Sequence, residues 1–243
     1  RCLMKGLSSD DRYEVIGSDV DPNEGLLNLD VVDKERWLEL TSGVDTVLHF
    51  GWAPDEEDFL GKVLPINVTG AFHLYEAAKE NNVRRVIFAS SNHATGFYEV
   101  HEDVEPEEPY RPDSFYGLSK CYIELLGRYY ADKHGISSFN IRIGNYAGDD
   151  QPHSERAAHI WISCRDMVHL VSCCIEADPS FDFLSLYGTS ANTHNYYDIS
   201  YLEKLIGYKP QDDAEDLLKQ AKRRKEQIPD DETNFQGGKF VYK

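Results

Sequence analysis

The sequence predicts a doubly wound α/β fold built on a parallel sheet, and three observations predict it. Apolar strand-like runs alternate with helical stretches along the first 144 residues, as expected when each strand is followed by a crossover helix. The run Val86-Ile87-Phe88-Ala89 is continuously apolar, like strands covered on both faces, and it ends in the polar cluster Ser90-Ser91-Asn92-His93. The chain has 243 residues, 41% of them hydrophobic, which suits one substantial core better than two small ones.

The elements follow in order. Arg1–Leu7 reads as the end of an amphipathic helix, and after a turn Tyr13–Gly17 reads as a strand. The first strand and glycine-rich turn that open a dinucleotide-binding unit are missing from the sequence on this reading. A weaker strand at Leu26–Leu29 precedes a helix over Lys34–Leu40, with Asp33 as its N-cap. Strand Thr46–Gly51 runs into Phe50-Gly51-Trp52-Ala53, where glycine lets a ligand approach the backbone. A helix over Asn67–Asn81 then leads to strand Arg85–Ser91. Glu102–Pro112 carries three prolines among acidic residues and reads as a surface loop before the helix Tyr116–His134. Strand Ser138–Ile143 closes this part. Beyond residue 144 the pattern loosens, with a loop at Asp149–His153, a helix at Arg165–Glu176, a strand at Phe183–Gly188, and helices at Tyr197–Ile206 and Asp213–Lys225. No repeat or linker marks a second domain, so residues 1–144 read as the mainly nucleotide-binding part and 145–243 as the mainly substrate-binding part of one domain.

Charge narrows the partners. A formal net charge of -18 opposes binding to nucleic acid or to an anionic membrane, so any anionic substrate needs a local cation. Five cysteines, an odd number with no C-x-x-C pair and no metal-ligand spacing, read as reduced buried thiols and point to the cytoplasm. No apolar run is long enough to span a bilayer, and no signal-peptide pattern is present.

The chemistry concentrates in two places. Tyr116 and Lys120 are four residues apart, which on a helix puts both on one face, and an ammonium beside a phenol favours the phenolate. The same spacing arises by chance on many amphipathic helices. Joined to Ser91 at the end of a buried strand, it describes a base, its cation and a hydroxyl that can share one substrate oxygen. Asp19, after strand Tyr13–Gly17, is placed to accept from a ribose diol and to repel a 2′-phosphate, favouring NAD over NADP. Its alternative role is to cap a turn with Asp21-Pro22-Asn23. Asp30 is placed to meet the adenine amine.

These residues resemble the extended short-chain dehydrogenase/reductase superfamily, also called NAD-dependent epimerase/dehydratases, and within it the uronate dehydrogenases. The resemblance is carried by Phe88–His93, Arg111-Pro112-Asp113 with Tyr116-Gly117-Leu118-Ser119-Lys120, Arg142-Ile143-Gly144, Tyr187-Gly188, Ser190-Ala191-Asn192, Gly207-Tyr208-Lys209-Pro210 and Phe235-Gln236-Gly237-Gly238. It implies a Rossmann-type sheet with a small C-terminal substrate region, NAD as cofactor, and Ser91, Tyr116 and Lys120 as the catalytic set. It places Asp19, Asp30, Val31, Phe50, Gly51, Trp52, Asn67, Tyr116, Lys120 and Ile143 around the cofactor. It places Asn92, His93, Asn145, Arg156 and Phe235 around a sugar or sugar-acid substrate, in a protein free to form a homo-oligomer. Arg156 suits a carboxylate because guanidinium binds planar anions in a bidentate fork, although Glu155 is an alternative partner. His93 reads equally as a satisfied strand-end histidine. The chain departs from the uronate dehydrogenases in having Pro54 and Asn145 where those carry serines. The implied reaction is oxidation of a cyclic uronate at C1 to the aldarolactone. An aldose or sugar-phosphate dehydrogenase, a nucleotide-sugar epimerase or dehydratase, and a non-enzymatic NAD-binding regulator are the other readings.

Overall fold

Strand β4 (Arg85–Ser91) is buried at every position, and the sheet assembles around it. In the computed structural model, which describes residues 1–22, 25–53, 58–224, 228–231 and 233–242, β4 pairs in parallel with β3 (Thr46–His49) on one side and β5 (Ser137–Ile143) on the other. Strand β6 (Phe183–Gly188) extends the sheet beyond β5, again in parallel. Successive side chains of β4 face opposite ways, and the core divides accordingly. Val86 and Phe88 pack with Ala71, Leu74 and Tyr75 of α3 (Gly70–Glu80) and Ile123 and Tyr130 of α4 (Phe115–His134). Ile87 joins Phe139 and Ile141 of β5 in packing on Leu7 of α1 (Cys2–Leu7) and Leu170 and Val171 of α6 (Cys164–Glu176). Helices therefore cover both faces, as the doubly wound reading expects.

Most predicted elements lie where the sequence places them. Helix α2 spans Lys34–Leu40, with the Asp33 side chain accepting from Arg36 N at 3.0 Å. The differences have local causes. Tyr13–Gly17 forms no ladder; the parallel pairing is confined to β1 (Ser18–Asp19) and β2 (Leu27–Asn28), a ladder separate from the four-stranded sheet. The helix expected from Asn67 begins earlier, as a π-helical segment Phe59–Thr69 that runs into α3. Pro65 inside it has no N–H for the regular ladder, and the Asp58 side chain caps its start by accepting from Gly61 N at 2.8 Å. Helix α7 (Tyr201–Ile206) starts later than expected because Asn195 and Asp198 bond the backbone N–H groups of Tyr197 and Ser200, offering the chain turns instead of helix. Helix α5 (Glu155–His159), capped by Ser154, is too short to show a period and was not predicted. Helix α8 (Ala214–Arg223) completes the set. Among the described residues no helix is long and apolar enough to cross a membrane.

The cysteine reading needs correction. Cys2 and Cys164 form a disulfide that ties α1 to the start of α6, while Cys121 and Cys174 are buried thiols and Cys173 a half-buried one. Residues 162 apart in the chain give no spacing signal for a pair, and the thiol argument for a cytoplasmic setting falls with it.

Two arginines lie inside the fold. Arg85 donates to the carbonyls of Cys174 (2.6 Å), Ala177 (3.1 Å) and Asp178 (3.3 Å), satisfying orphan acceptors at the C-terminus of α6. Arg142 forms a two-point pair with Glu124 of α4, Nε to Oε1 at 3.1 Å and Nη2 to Oε2 at 2.9 Å. Burial alone would push the Arg142 guanidinium down, but the charge and hydrogen bonds of Glu124 outweigh it and hold it up. Ser90, Tyr110 and Ser185 also donate to Glu124. Removing one member of a buried pair typically costs about 3–5 kcal/mol, because the other charge stays desolvated. Glu124→Gln should lower unfolding stability by about that amount in urea titration, and Glu124→Leu with Arg142→Met should lose less than either single change; equal losses in all three would remove the pair from this role.

Candidate active site

The site forms where the C-terminal end of β4 meets the first turns of α4. Ser91, the last residue of the strand, caps a 3₁₀ turn at Asn92–Thr95 by accepting from His93 N at 3.2 Å. Ser114 caps α4 by accepting from Gly117 N at 2.9 Å. Tyr116 and Lys120 follow one turn apart. Lys120 is fully buried; its Nζ donates to Ala89 O at 2.7 Å and lies 4.3, 4.5 and 5.2 Å from the ring centres of Trp52, Phe88 and Tyr116.

The electrostatics differ from the simple expectation. Burial pushes the Tyr116 phenol up to about 12, a hydrogen bond with Ser91 draws it partly back, and the charge of Asp113 pushes it up again. Burial also drives the Lys120 ammonium well below its usual value, opposed by Glu124. Lys120 therefore does not by itself pull Tyr116 toward the phenolate, because the apolar wall that brings the two together disfavours both charged forms.

The residues expected around the cofactor are spread over the β1–β2 ladder, the end of β3 and the segment before α3. Asp19 and Asp30 are exposed, at the end of β1 and just after β2. Asp19 accepts from Asp21 N at 3.1 Å, the turn anticipated as its alternative role, and Asp30 accepts from Val32 N at 3.1 Å; each bond uses Oδ1. Val31 lies against Gly51 and Gly70, Phe50 and Ile143 are half-buried, and Trp52 covers Lys120. Asn67 sits within its helix rather than at the start. Its amide is spent on Ala53 N (2.7 Å), Ala53 O (3.0 Å) and Ser119 Oγ (3.1 Å), so it holds the Gly51–Ala53 turn against α4. Pro54 lies outside the described residues.

On the substrate side the C-terminal segment returns across the site. Gln236 O accepts from Asn92 Nδ2 at 3.3 Å and from Arg156 Nη2, which brings those two side chains to one carbonyl. Arg156 Nε and Gln236 Oε1 are buried without a hydrogen-bond partner, as is Asn145 Oδ1 on the strand-like bridge to Trp161. His93 bonds Asp113 and packs against Phe240 at a tilt, with ring centres 4.3 Å apart. Phe235 packs instead on Phe97 and Tyr242. Asp113, Gln236 and Phe240 were missed as members of the site by sequence reasoning; Asp113 and Gln236 stand inside motifs it had singled out, whereas Phe240 carried no signal.

Against known proteins, the profile of the NAD dependent epimerase/dehydratase family matches residues 2–184. The chain belongs to this family. It is 38% identical over 221 residues to a uronate dehydrogenase of Pseudomonas putida, covering 90% of this chain and 81% of that protein. It is 39% identical over 214 residues to an NAD-dependent glucose-6-phosphate dehydrogenase of Haloferax volcanii, covering 83% and 80%. A uronate dehydrogenase mutant from Agrobacterium tumefaciens, solved in complex with NAD, superposes with a TM-score of 0.88 at 31% identity, covering 99% of this chain and 92% of that one.

A phenol held near 12 is almost wholly protonated at neutral pH, so a rate that needs the phenolate rises with pH, about tenfold per unit. Carbon-13 NMR of labelled tyrosine, with Tyr116→Phe to assign the signal, should find Tyr116 untitrated up to about pH 10.5 in the protein alone; a midpoint at or below the ordinary value of about 10 would show that burial does not govern it.

Proposed function

We propose that the chain is an NAD-dependent dehydrogenase that oxidises C1 of a cyclic uronate, such as glucuronate or galacturonate, to the aldarolactone. The observation that carries the substrate reading is Arg156, whose Nε is buried and unpartnered while Nη2 is anchored on Gln236 O, the carbonyl that also holds Asn92 beside Ser91. An orphaned guanidinium edge suits a carboxylate, which an otherwise acidic protein would repel.

The residues present fit NAD. Lys120 is an ammonium donor that spends one N–H on Ala89 among the described residues, leaving two for a ribose diol, and Asp19 and Asp30 offer exposed carboxylates for the adenosine end. NAD supplies the hydride acceptor and, in its oxidised form, a positive nicotinamide ring. Tyr116 removes the proton of the C1 hydroxyl as the C1–H bond gives up its hydride, and the C1–O bond becomes the lactone carbonyl. Ser91 shares the same oxygen by donating to it. When protonated, Lys120 would stabilise the Tyr116 phenolate from one turn away on the same helix face, and its remaining N–H groups would hold the ribose hydroxyls of NAD. Exposed Leu118, Tyr122, Leu125 and Tyr129 on α4 form an apolar stripe that supports association of two copies as part of this proposal.

The direct test follows NADH absorbance with uronates, neutral aldoses and sugar phosphates. Tyr116→Phe should lose about 10²–10⁴-fold in turnover with its fold intact by circular dichroism; near-normal turnover would sink the mechanism. Arg156→Ala should lower kcat/KM for a uronate by roughly two orders of magnitude, while a neutral aldose suffers far less. Equal losses for both would make Arg156 structural, and turnover of a sugar phosphate without any uronate would replace the substrate reading.

A further inference from the structure

We propose that Asp113 is a positioning residue that fixes His93 as the Nδ1–H tautomer, so that the imidazole presents its Nε2 lone pair to a substrate hydroxyl beside Tyr116. The identity of the substrate rests on the dehydrogenase reading above; the tautomer does not.

The proton can be placed by following the hydrogen bonds. His93 Nδ1 lies 2.7 Å from Asp113 Oδ2, and the Asp113 side chain is fully buried. The other oxygen, Oδ1, accepts from the Ser114 hydroxyl at 2.8 Å. Ser114 Oγ is already the acceptor for Gly117 N, so its proton goes to Asp113. A carboxylate whose two oxygens both accept leaves the shared proton on Nδ1, and a neutral imidazole protonated there has only a lone pair at Nε2.

The carboxylate cannot turn away. A Cβ at Gly96 or at Gly237 would collide with Asp113 Oδ2, so only glycine lets these two backbones close over it. The wall is bonded together by Gly237 N to Gly96 O at 2.8 Å and Gln236 N to Tyr98 O at 2.9 Å. Phe240 covers one side of the imidazole, and the Tyr116 ring centre lies 5.9 Å from that of His93. Nδ1 is turned to the buried Asp113 carboxylate, and 14% of the His93 side chain stays exposed, so Nε2 is the ring nitrogen left for a ligand. Since Ser114 also caps α4, the group that orients His93 is tied to the turn that carries Tyr116.

This arrangement divides the recognition chemistry. A lone pair at Nε2 accepts from a hydroxyl and repels a carboxylate, so His93 reads the neutral face of the sugar and leaves the anion to Arg156.

The test starts with nitrogen-15 NMR of the imidazole in the full chain near pH 8, with His93→Gln assigning the signal. The proposal expects a protonated Nδ1 and an unprotonated Nε2; a protonated Nε2 in the wild type overturns it. Asp113→Asn, which can donate to Nδ1, should shift the ring toward the Nε2–H form and lower kcat/KM about 10- to 100-fold, with no further loss when combined with His93→Ala. Unchanged kcat/KM in Asp113→Asn overturns it. Should that variant fail to fold, His93→Ala is compared across single-deoxy analogues of the substrate. One analogue, lacking the hydroxyl that His93 accepts from, should be insensitive to the change, and uniform sensitivity overturns the proposal. If uronates are not oxidised but an aldose or sugar phosphate is, the same comparison is made on that sugar, and the tautomer result stands apart from the failed substrate reading.

Discussion

Glu124 is a carboxylate with no access to water, and four parts of the chain must come to it. Arg142 arrives from β5, Ser90 from β4, Ser185 from β6 and Tyr110 from the acidic loop before α4. A buried charge without these partners would be strongly destabilising, so the pair and its donors admit only one placement of α4 on the sheet. That placement matters because α4 also carries Tyr116 and Lys120. The helix is locked at its middle by Glu124 and at its start by Ser114, and the two candidate catalytic side chains lie between those anchors.

The rigidity has an electrostatic cost. Apolar rings surround Lys120, and the same enclosure raises Tyr116 while it lowers the lysine. The enclosure disfavours the charged form of both groups, which makes the site responsive to charge brought by a ligand. His49 shows the same enclosure at the end of β3: burial and the nearby Lys120 lower it to about 3, so it contributes a neutral ring that meets Trp37 and Phe88 rather than a second base.

The substrate side is built differently. No helix or strand runs through 233–237; the segment is held by bonds to Tyr98, Gly96 and Val100 and by the carbonyl of Gln236, which gathers Asn92 and Arg156. Arg156 Nε and Gln236 Oε1 are left buried and unpaired here, whereas Glu124 accepts on both its oxygens.

Alternation of apolar runs with helical periods determined the parallel sheet, and the spacing of Tyr116 and Lys120 after a strand-end Ser91 singled out the candidate catalytic set, because both signals are local and repeat at the period of a strand or a helix. Asp33 as a helix cap was legible for the same reason. What the tertiary structure decided lies between distant residues. Cys2 meets Cys164, Asn67 latches onto Ala53 and Ser119, and Phe240 rather than Phe235 covers His93, and none of these pairs has a spacing that a pattern could reveal. The direction of the Tyr116 and Lys120 shifts was likewise invisible in the sequence, which supplies the partners of a charge but not how much water they exclude from it.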